Sequence, residues 1–238
     1  KTEEKKGKIN FLSNKSKSFS NYKIKKKLFE FRYFDKLEDP TFEYKGKINF
    51  FPFYSIIIGN TEDLDTSFLI NSNALFQQLV KTEILNNSNI DFEFKIQANK
   101  IKNNQNFVKL NMNSKIKEGL IDFDKTKFSW STYADFEISD SLLYVNDNQL
   151  LLDGKLLVDV KNYNQIYKYL QISKNLRPKL DTLEIDFNYN FDQQVINFNN
   201  IKLNGQINEK VTDVLKQIVL KSNKLQNKIY FKNIMKEA

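Results

Sequence analysis

Alternation of apolar and polar side chains with period two dominates this chain. It is cleanest from Ile90 to Ala98, where Ile90, Phe92, Phe94, Ile96 and Ala98 alternate with Asp91, Glu93, Lys95 and Gln97. Leu183, Ile185, Phe187, Tyr189 and Phe191 alternate in the same way with Glu184, Asp186, Asn188 and Asn190. Period two is the mark of a strand with one buried face. The pattern predicts further strands at about 7–14, 21–35, 41–58, 108–112, 119–124, 133–145, 149–160 and 194–204. In the strand at 149–160, Leu150, Leu152, Gly154, Leu156, Val158 and Val160 share a face. Asn103 to Asn106 and Asn146 to Asn148 are polar turns that make hairpins of their flanking strands. Pro52 predicts a bulge, an edge position or a break within 41–58. After it, Phe53, Tyr54, Ile56, Ile57 and Ile58 form a continuous run, either buried on both faces or a hydrophobic lip.

Period-3.6 patterning is confined to short stretches. Leu75, Phe76, Leu79 and Val80 predict a helix over about 72–86. Tyr163, Ile166, Tyr167 and Leu170 predict another over about 163–171, with Asn162 as its cap and Gln165 at the third position beyond it. Helical segments near 208–221 and 224–236 form a tail. The fold class that follows is mainly β with a few short helices. The sheet is antiparallel and strongly curved or folded over, forming an apolar groove. The helices are too few to cover every one-sided strand, so the apolar faces must meet one another or line that groove.

Five of the six glycines open a repeated phrase: glycine, any residue, Ile or Leu, any residue, then usually Phe or Val. The copies begin at Gly7, Gly46, Gly119, Gly154 and, in weaker form, Gly205. The phrase reads as a device for lining a curved sheet, with each glycine leaving the apolar face open at its start.

Composition narrows the chemistry. The chain has 238 residues and a formal charge of +8, from 37 Lys+Arg against 29 Asp+Glu. The basic residues are dispersed among acidic ones; the densest cluster is Lys23-Ile24-Lys25-Lys26-Lys27. The excess fits a Lys- and Asn-rich compositional bias; its functional reading is attraction to an anionic surface such as lipid headgroups, and the dispersion without a recognition motif speaks against nucleic acid. There is no Cys and no His, which removes disulfides, thiolate sites and the commonest general base. Asp122 and Asp124, Asp91 and Glu93, and Glu184 and Asp186 each share a strand face, but so do solvent-facing positions of any amphipathic strand. No phosphate-binding glycine loop is present. The expectation is a non-enzymatic protein with no catalytic residue, no metal site and no cofactor. No stretch reaches the ~20 apolar residues of a spanning helix.

From about Phe107 to Gly205 the chain resembles the C-terminal region of AsmA-like proteins. The resemblance is carried by Lys117-Glu118-Gly119-Leu120-Ile121-Asp122-Phe123-Asp124 with Phe128-Ser129-Trp130, by Ile138-Ser139-Asp140-Ser141-Leu142-Leu143, and by Leu150-Leu151-Leu152-Asp153-Gly154-Lys155-Leu156. Asn190-Phe191-Asp192 and Asn200-Ile201-Lys202-Leu203 fit the same sheet. The resemblance implies a periplasmic segment of a protein held in the inner membrane by a helix outside this sequence. It implies a folded-over sheet with an apolar inner face that binds or conducts phospholipid for outer-membrane assembly, with envelope proteins as further partners. The chain is then one β-rich domain over 1–238, a piece of a longer protein, with a helical tail from 206. The expected groove lining is Ile90, Phe92, Phe94, Ile96, Leu150, Leu152, Leu156, Val158, Leu183, Ile185, Phe187 and Tyr189. Two other readings compete: a scaffold module whose sheet packs on itself without a lipid groove, and a piece of an outer-membrane barrel, against which Pro52 and the helices speak.

Overall fold

The computed structural model describes residues 3–13, 16–66, 75–102, 104–207 and 209. Fourteen strands form one sheet. They are β1 (Glu4–Ser13), β2 (Ser16–Lys25), β3 (Leu28–Phe34), β4 (Phe42–Phe50), β5 (Phe53–Leu64), β6 (Asp91–Ile101) and β7 (Asn104–Lys117), followed by β8 (Leu120–Asp122), β9 (Lys127–Trp130), β10 (Ala134–Asn146), β11 (Gln149–Val160), β12 (Thr182–Asn190), β13 (Val195–Leu203) and β14 (Gln206–Ile207). Strands lie beside their neighbours in sequence from β1 through β8 and again from β10 through β14; β9 pairs with β7 and β10. Two helices are described, α1 (Leu75–Lys81) and α2 (Tyr163–Tyr169). The expected helices at 208–221 and 224–236 lie outside the described residues.

All pairings are antiparallel except β5 with β6, which is parallel. A parallel pair cannot be closed by a tight turn. The chain therefore leaves β5 at Leu64, passes through α1 and returns at Asp91. The predicted single strand at 21–35 is two strands, because Lys26 adopts φ 53° and turns the chain at Lys26-Lys27. The predicted 41–58 strand is likewise broken at Pro52, where Phe51 and Pro52 turn β4 into β5 across a cis peptide. The Ile56–Ile58 run is not buried on both faces: Ile57 faces the apolar side while Ile56 and Ile58 lie on the polar side, Ile58 exposed.

The registers place the apolar residues of successive strands on one face. One row runs Tyr22, Phe31, Gly46, Ile57, Phe94; another runs Ile121, Leu143, Leu152, Tyr189, Ile196. The opposite face carries ion pairs between cross-strand partners, among them Glu30–Lys47, Glu93–Lys115, Glu137–Lys127 and Glu184–Lys202. Exposed pairs of this kind stabilise by less than about 1 kcal/mol each. Their effect is on register, since slipping a strand by one residue would put carboxylates on the apolar side.

Keeping one face apolar over so many strands requires corrections of phase, and these are visible. In β10 the apolar positions jump from Ile138 to Leu143, an odd interval. Asp140, at φ 49°, bulges there and restores both residues to the same side. In β13 Phe198 and Ile201 are three apart, and Asn199 is the extra residue opposite the Asp186–Phe187 step. In β7 Lys109, at φ 56°, lies within a bulge against β9. Phe107, rather than the predicted Val108, therefore joins Phe128 and Phe136 on the apolar side.

The glycines have a different role from the expected one. Gly7, Gly46, Gly59 and Gly154 lie within strands, opposite Tyr22, Phe31, Tyr44 and Phe187. In each case the opposing ring lies over the glycine and takes the space of a side chain; a Cβ at Gly154 would sit 3.1 Å from the Phe187 ring, and at the other three it would overlap the ring. The face is filled, not left open, at these points. Gly119 and Gly205, at φ 82° and 81°, are turn residues that follow Glu118 and Asn204 at φ 53° and 50°. Gly46→Ala should displace the Phe31 ring and destabilise the protein by about 1–2 kcal/mol. In a Phe31→Ala background the same change should cost much less, and chemical denaturation of the four proteins in this cycle measures the coupling.

Candidate functional site

The apolar face is covered unevenly. Around β10–β12, α2 lays Ile166, Tyr167 and Leu170 on Ala134, Val158 and Val160. Asn162 caps this helix as predicted, its Oδ1 accepting the Gln165 N–H at 3.1 Å. Toward the other end of the same strands, α1 inserts Val80 among Ile116, Ile121, Leu143, Leu150 and Phe191. Between them Ile185, Phe187, Phe198 and Ile201 form a third cluster, and Leu152, Leu156, Leu183 and Tyr189 join it to its neighbours. The two clusters that contain helix residues include nothing from β1–β5.

On that remaining part the described residues form a half-buried aromatic surface beside a buried cluster of Leu64, Ile96, Ala98, Leu110 and Met112. Tyr33 lies 5.2 Å from Phe42 and 6.4 Å from Tyr44 between ring centroids, and Phe29 lies 5.9 Å from Phe31. A hollow of about 520 Å³ opens here, lined by Phe31, Tyr33, Tyr44, Ile57, Phe94 and Ile96, with Asp63, Leu64 and Asp65 at its margin. Its size is within the range of small-molecule and lipid-tail pockets, about 300–1,000 Å³. The margin is fixed: the Leu64 carbonyl accepts the Lys102 N–H at 2.9 Å, and Lys102 Nζ donates to Asp65 at 3.1 Å. Burial pushes the Tyr44 phenol above its ordinary range, and neighbouring Tyr33 adds to the shift. Burial does the same to Tyr189. These phenols stay neutral at physiological pH, so the face bears no charge from them.

All twelve residues expected to line a groove lie on the apolar side. Ile96, Leu150, Val158, Ile185 and Phe187 are buried within protein clusters. Ile90, Phe92, Phe94, Leu152, Leu156, Leu183 and Tyr189 are half-buried. Only Phe94 and Ile96 border the hollow; its other walls are Phe31, Tyr33, Tyr44 and Ile57. Those residues were legible as strand positions, but nothing in their alternation separates an open part of the face from a covered one.

Most of the carboxylates in these pairs have partners within the sheet. Glu93 and Glu184 face lysines across the sheet. Asp124 accepts from the Ser141 backbone N–H at 2.8 Å and its Oγ–H at 2.6 Å, fastening the β8–β9 loop to the β10 bulge. Asp122 accepts the Asp124 N–H; burial raises its pKa, a shift this hydrogen bond opposes. Among the described residues no three His, Cys, Asp or Glu side chains converge as a metal site, and no helix is long and apolar enough to cross a membrane.

Comparison with known proteins finds no matching family model, no matching curated protein and no matching solved structure.

One ion pair holds α1 over the sheet. Asp192 accepts from Lys81 Nζ on α1 and from the Leu150 N–H at 2.8 Å. Burial acts to raise the Asp192 pKa, but Lys81 and the backbone donor outweigh it and hold it below the ordinary carboxylate value. A depressed carboxylate stabilises the fold above its unfolded pKa and loses that contribution as pH falls through its folded one. Asp192→Asn should therefore cost about 1–2 kcal/mol at pH 7, and the gap to wild type should close below about pH 4. Denaturant unfolding of both proteins across that range measures it.

Proposed function

We propose that this protein is a non-enzymatic lipid-handling sheet, whose open aromatic face shelters the acyl chains of phospholipids. The observation that carries the reading is the apolar side of a fourteen-strand sheet, held in phase by bulges, on which the helix-containing clusters among the described residues lie beyond β5. Sheets wider than about 10 strands curl, split or flatten. Curling toward the apolar side would make the half-buried aromatics of β2–β6 the inside of a groove. Each CH₂ of a lipid tail buried there contributes about 0.8 kcal/mol, so affinity needs no charged contact inside.

The resemblance of 107–205 to AsmA-like proteins supports the same reading. In it the chain is a periplasmic segment that accepts or passes phospholipid between membranes, with its anchor elsewhere in the protein. The buried clusters of β10–β13 would be the self-packed support, and β2–β6 the working surface. A pure scaffold remains the second reading, favoured by the burial of Ile185, Phe187, Phe198 and Ile201 within protein.

Native mass spectrometry of the purified chain, after expression in a diderm bacterium, tests the proposal. Phospholipid should accompany the protein. Ile57→Glu, which places a charge in the hollow, should lower lipid occupancy at least several-fold while leaving the β10–β13 clusters folded. A wild-type protein free of lipid, and unable to take up a fluorescent phospholipid, would sink the proposal in favour of the scaffold.

A further inference from the structure

At the lower end of the sheet, where β2, β4, β7 and β10 end and β3, β5 and β6 begin, an apolar feature projects into solvent. The β4–β5 hairpin tip is Phe50-Phe51-Pro52-Phe53-Tyr54, and all five residues are exposed, Phe51 at 72%. The β2–β3 turn stands beside it, with Lys25, Lys26 and Lys27 all exposed. The two are joined: the Phe50 N–H donates to the Lys27 carbonyl at 2.9 Å, and Lys27 Nζ lies 4.2 Å from the Phe51 ring centroid. A hollow of about 600 Å³ separates the tip from Ser88–Asp91 and Lys117-Glu118. Its acidic groups are Asp91 and Glu118; Lys117 stands opposite Asp91 in register, and the lysine turn leaves this corner net positive. Exposed Leu120 and Ile84 lie at the same end.

We infer that this tip is a membrane-docking device, which inserts Phe51, Phe53 and their neighbours into the interface of an anionic bilayer while Lys25, Lys26 and Lys27 engage its headgroups. A Phe left exposed forgoes the stabilisation of burial, and a cluster of them on a convex turn calls for a partner. The charge decides which partner. Lysine is depleted in protein–protein interface cores, whereas aromatic tips ringed by lysine match the bilayer interface, where rings sit at headgroup level and cations meet anionic lipid. The contact differs from sheltering acyl chains on the sheet face, and either can hold without the other.

The test uses the full chain and extruded vesicles of phosphatidylcholine, with or without phosphatidylglycerol. The wild-type protein should co-sediment with the anionic vesicles far better than with the neutral ones, and added salt should release it. Each lysine contributes about fivefold to partitioning near an anionic surface. Replacing all three with Gln should thus weaken binding roughly 100-fold. Phe51→Ser with Phe53→Ser should weaken it at least tenfold without altering the circular dichroism, since both side chains are exposed. In a gain-of-signal version, Phe51→Trp should be quenched by brominated phosphatidylcholine in the vesicles. Native Trp130, at the other end of the strands, should not be. No sedimentation with anionic vesicles, full binding by the serine variant, or quenching of Trp130 instead of the tip would each overturn the inference.

Discussion

The structure depends on one constraint: neighbouring strands of a single wide sheet must present most of their apolar residues to the same side. Alternation satisfies this within a strand, and the cross-strand ion pairs of the opposite face penalise a slip between strands. Where the sequence loses phase, as between Ile138 and Leu143 or between Phe198 and Ile201, an inserted residue bulges and the face continues. The fold thus tolerates irregular sequence while keeping one side of the sheet predominantly apolar. Aromatic rings folded over Gly7, Gly46, Gly59 and Gly154 complete the same surface from the neighbouring strand.

Much of this was legible from the residues. The strands at 90–98 and 183–191 were written in strict alternation, that at 149–160 in a one-sided apolar row, and the Asn162 cap with Gln165 was found where the pattern placed it. What could not be read has physical causes. The parallel β5–β6 pairing goes with a crossover through α1, whose Val80 packs on Ile116, Ile121, Leu143, Leu150 and Phe191, and nothing local to Phe53–Leu64 signals it. The Gly-led phrase mixed two physical types. Gly119 and Gly205 need positive φ, whereas Gly46 and Gly154 need the absence of a Cβ beside a ring. Both kinds precede an alternating run, so the sequence presents them alike. Nor does alternation say which part of an apolar face a helix covers, and for that reason the hollow among Phe31, Tyr33, Tyr44 and Ile57 was not foreseen.

The unevenness of coverage links fold to function. Helices and their clusters bury the β10–β12 part of the face, so that part stabilises the molecule. The apolar side of the β2–β6 part keeps its aromatics half-buried among the described residues, and the proposed reading assigns it to an apolar ligand. The projecting tip at Phe51 and the lysine turn beside it stand at one end of the same half of the sheet, the end inferred to meet an anionic surface. In the proposed reading, stability and ligand contact are divided along the sheet.

The central claim is that the open aromatic face, and not the ion-paired one, meets lipid. Site-specific photocrosslinking in cells tests it most directly, with a benzophenone amino acid at Tyr44 or Phe94 on the apolar side and at Lys45 or Lys95 on the opposite side. The account predicts phospholipid adducts at Tyr44 and Phe94 and none at the lysine positions. Equal labelling of both faces, or adducts at neither Tyr44 nor Phe94, would contradict it.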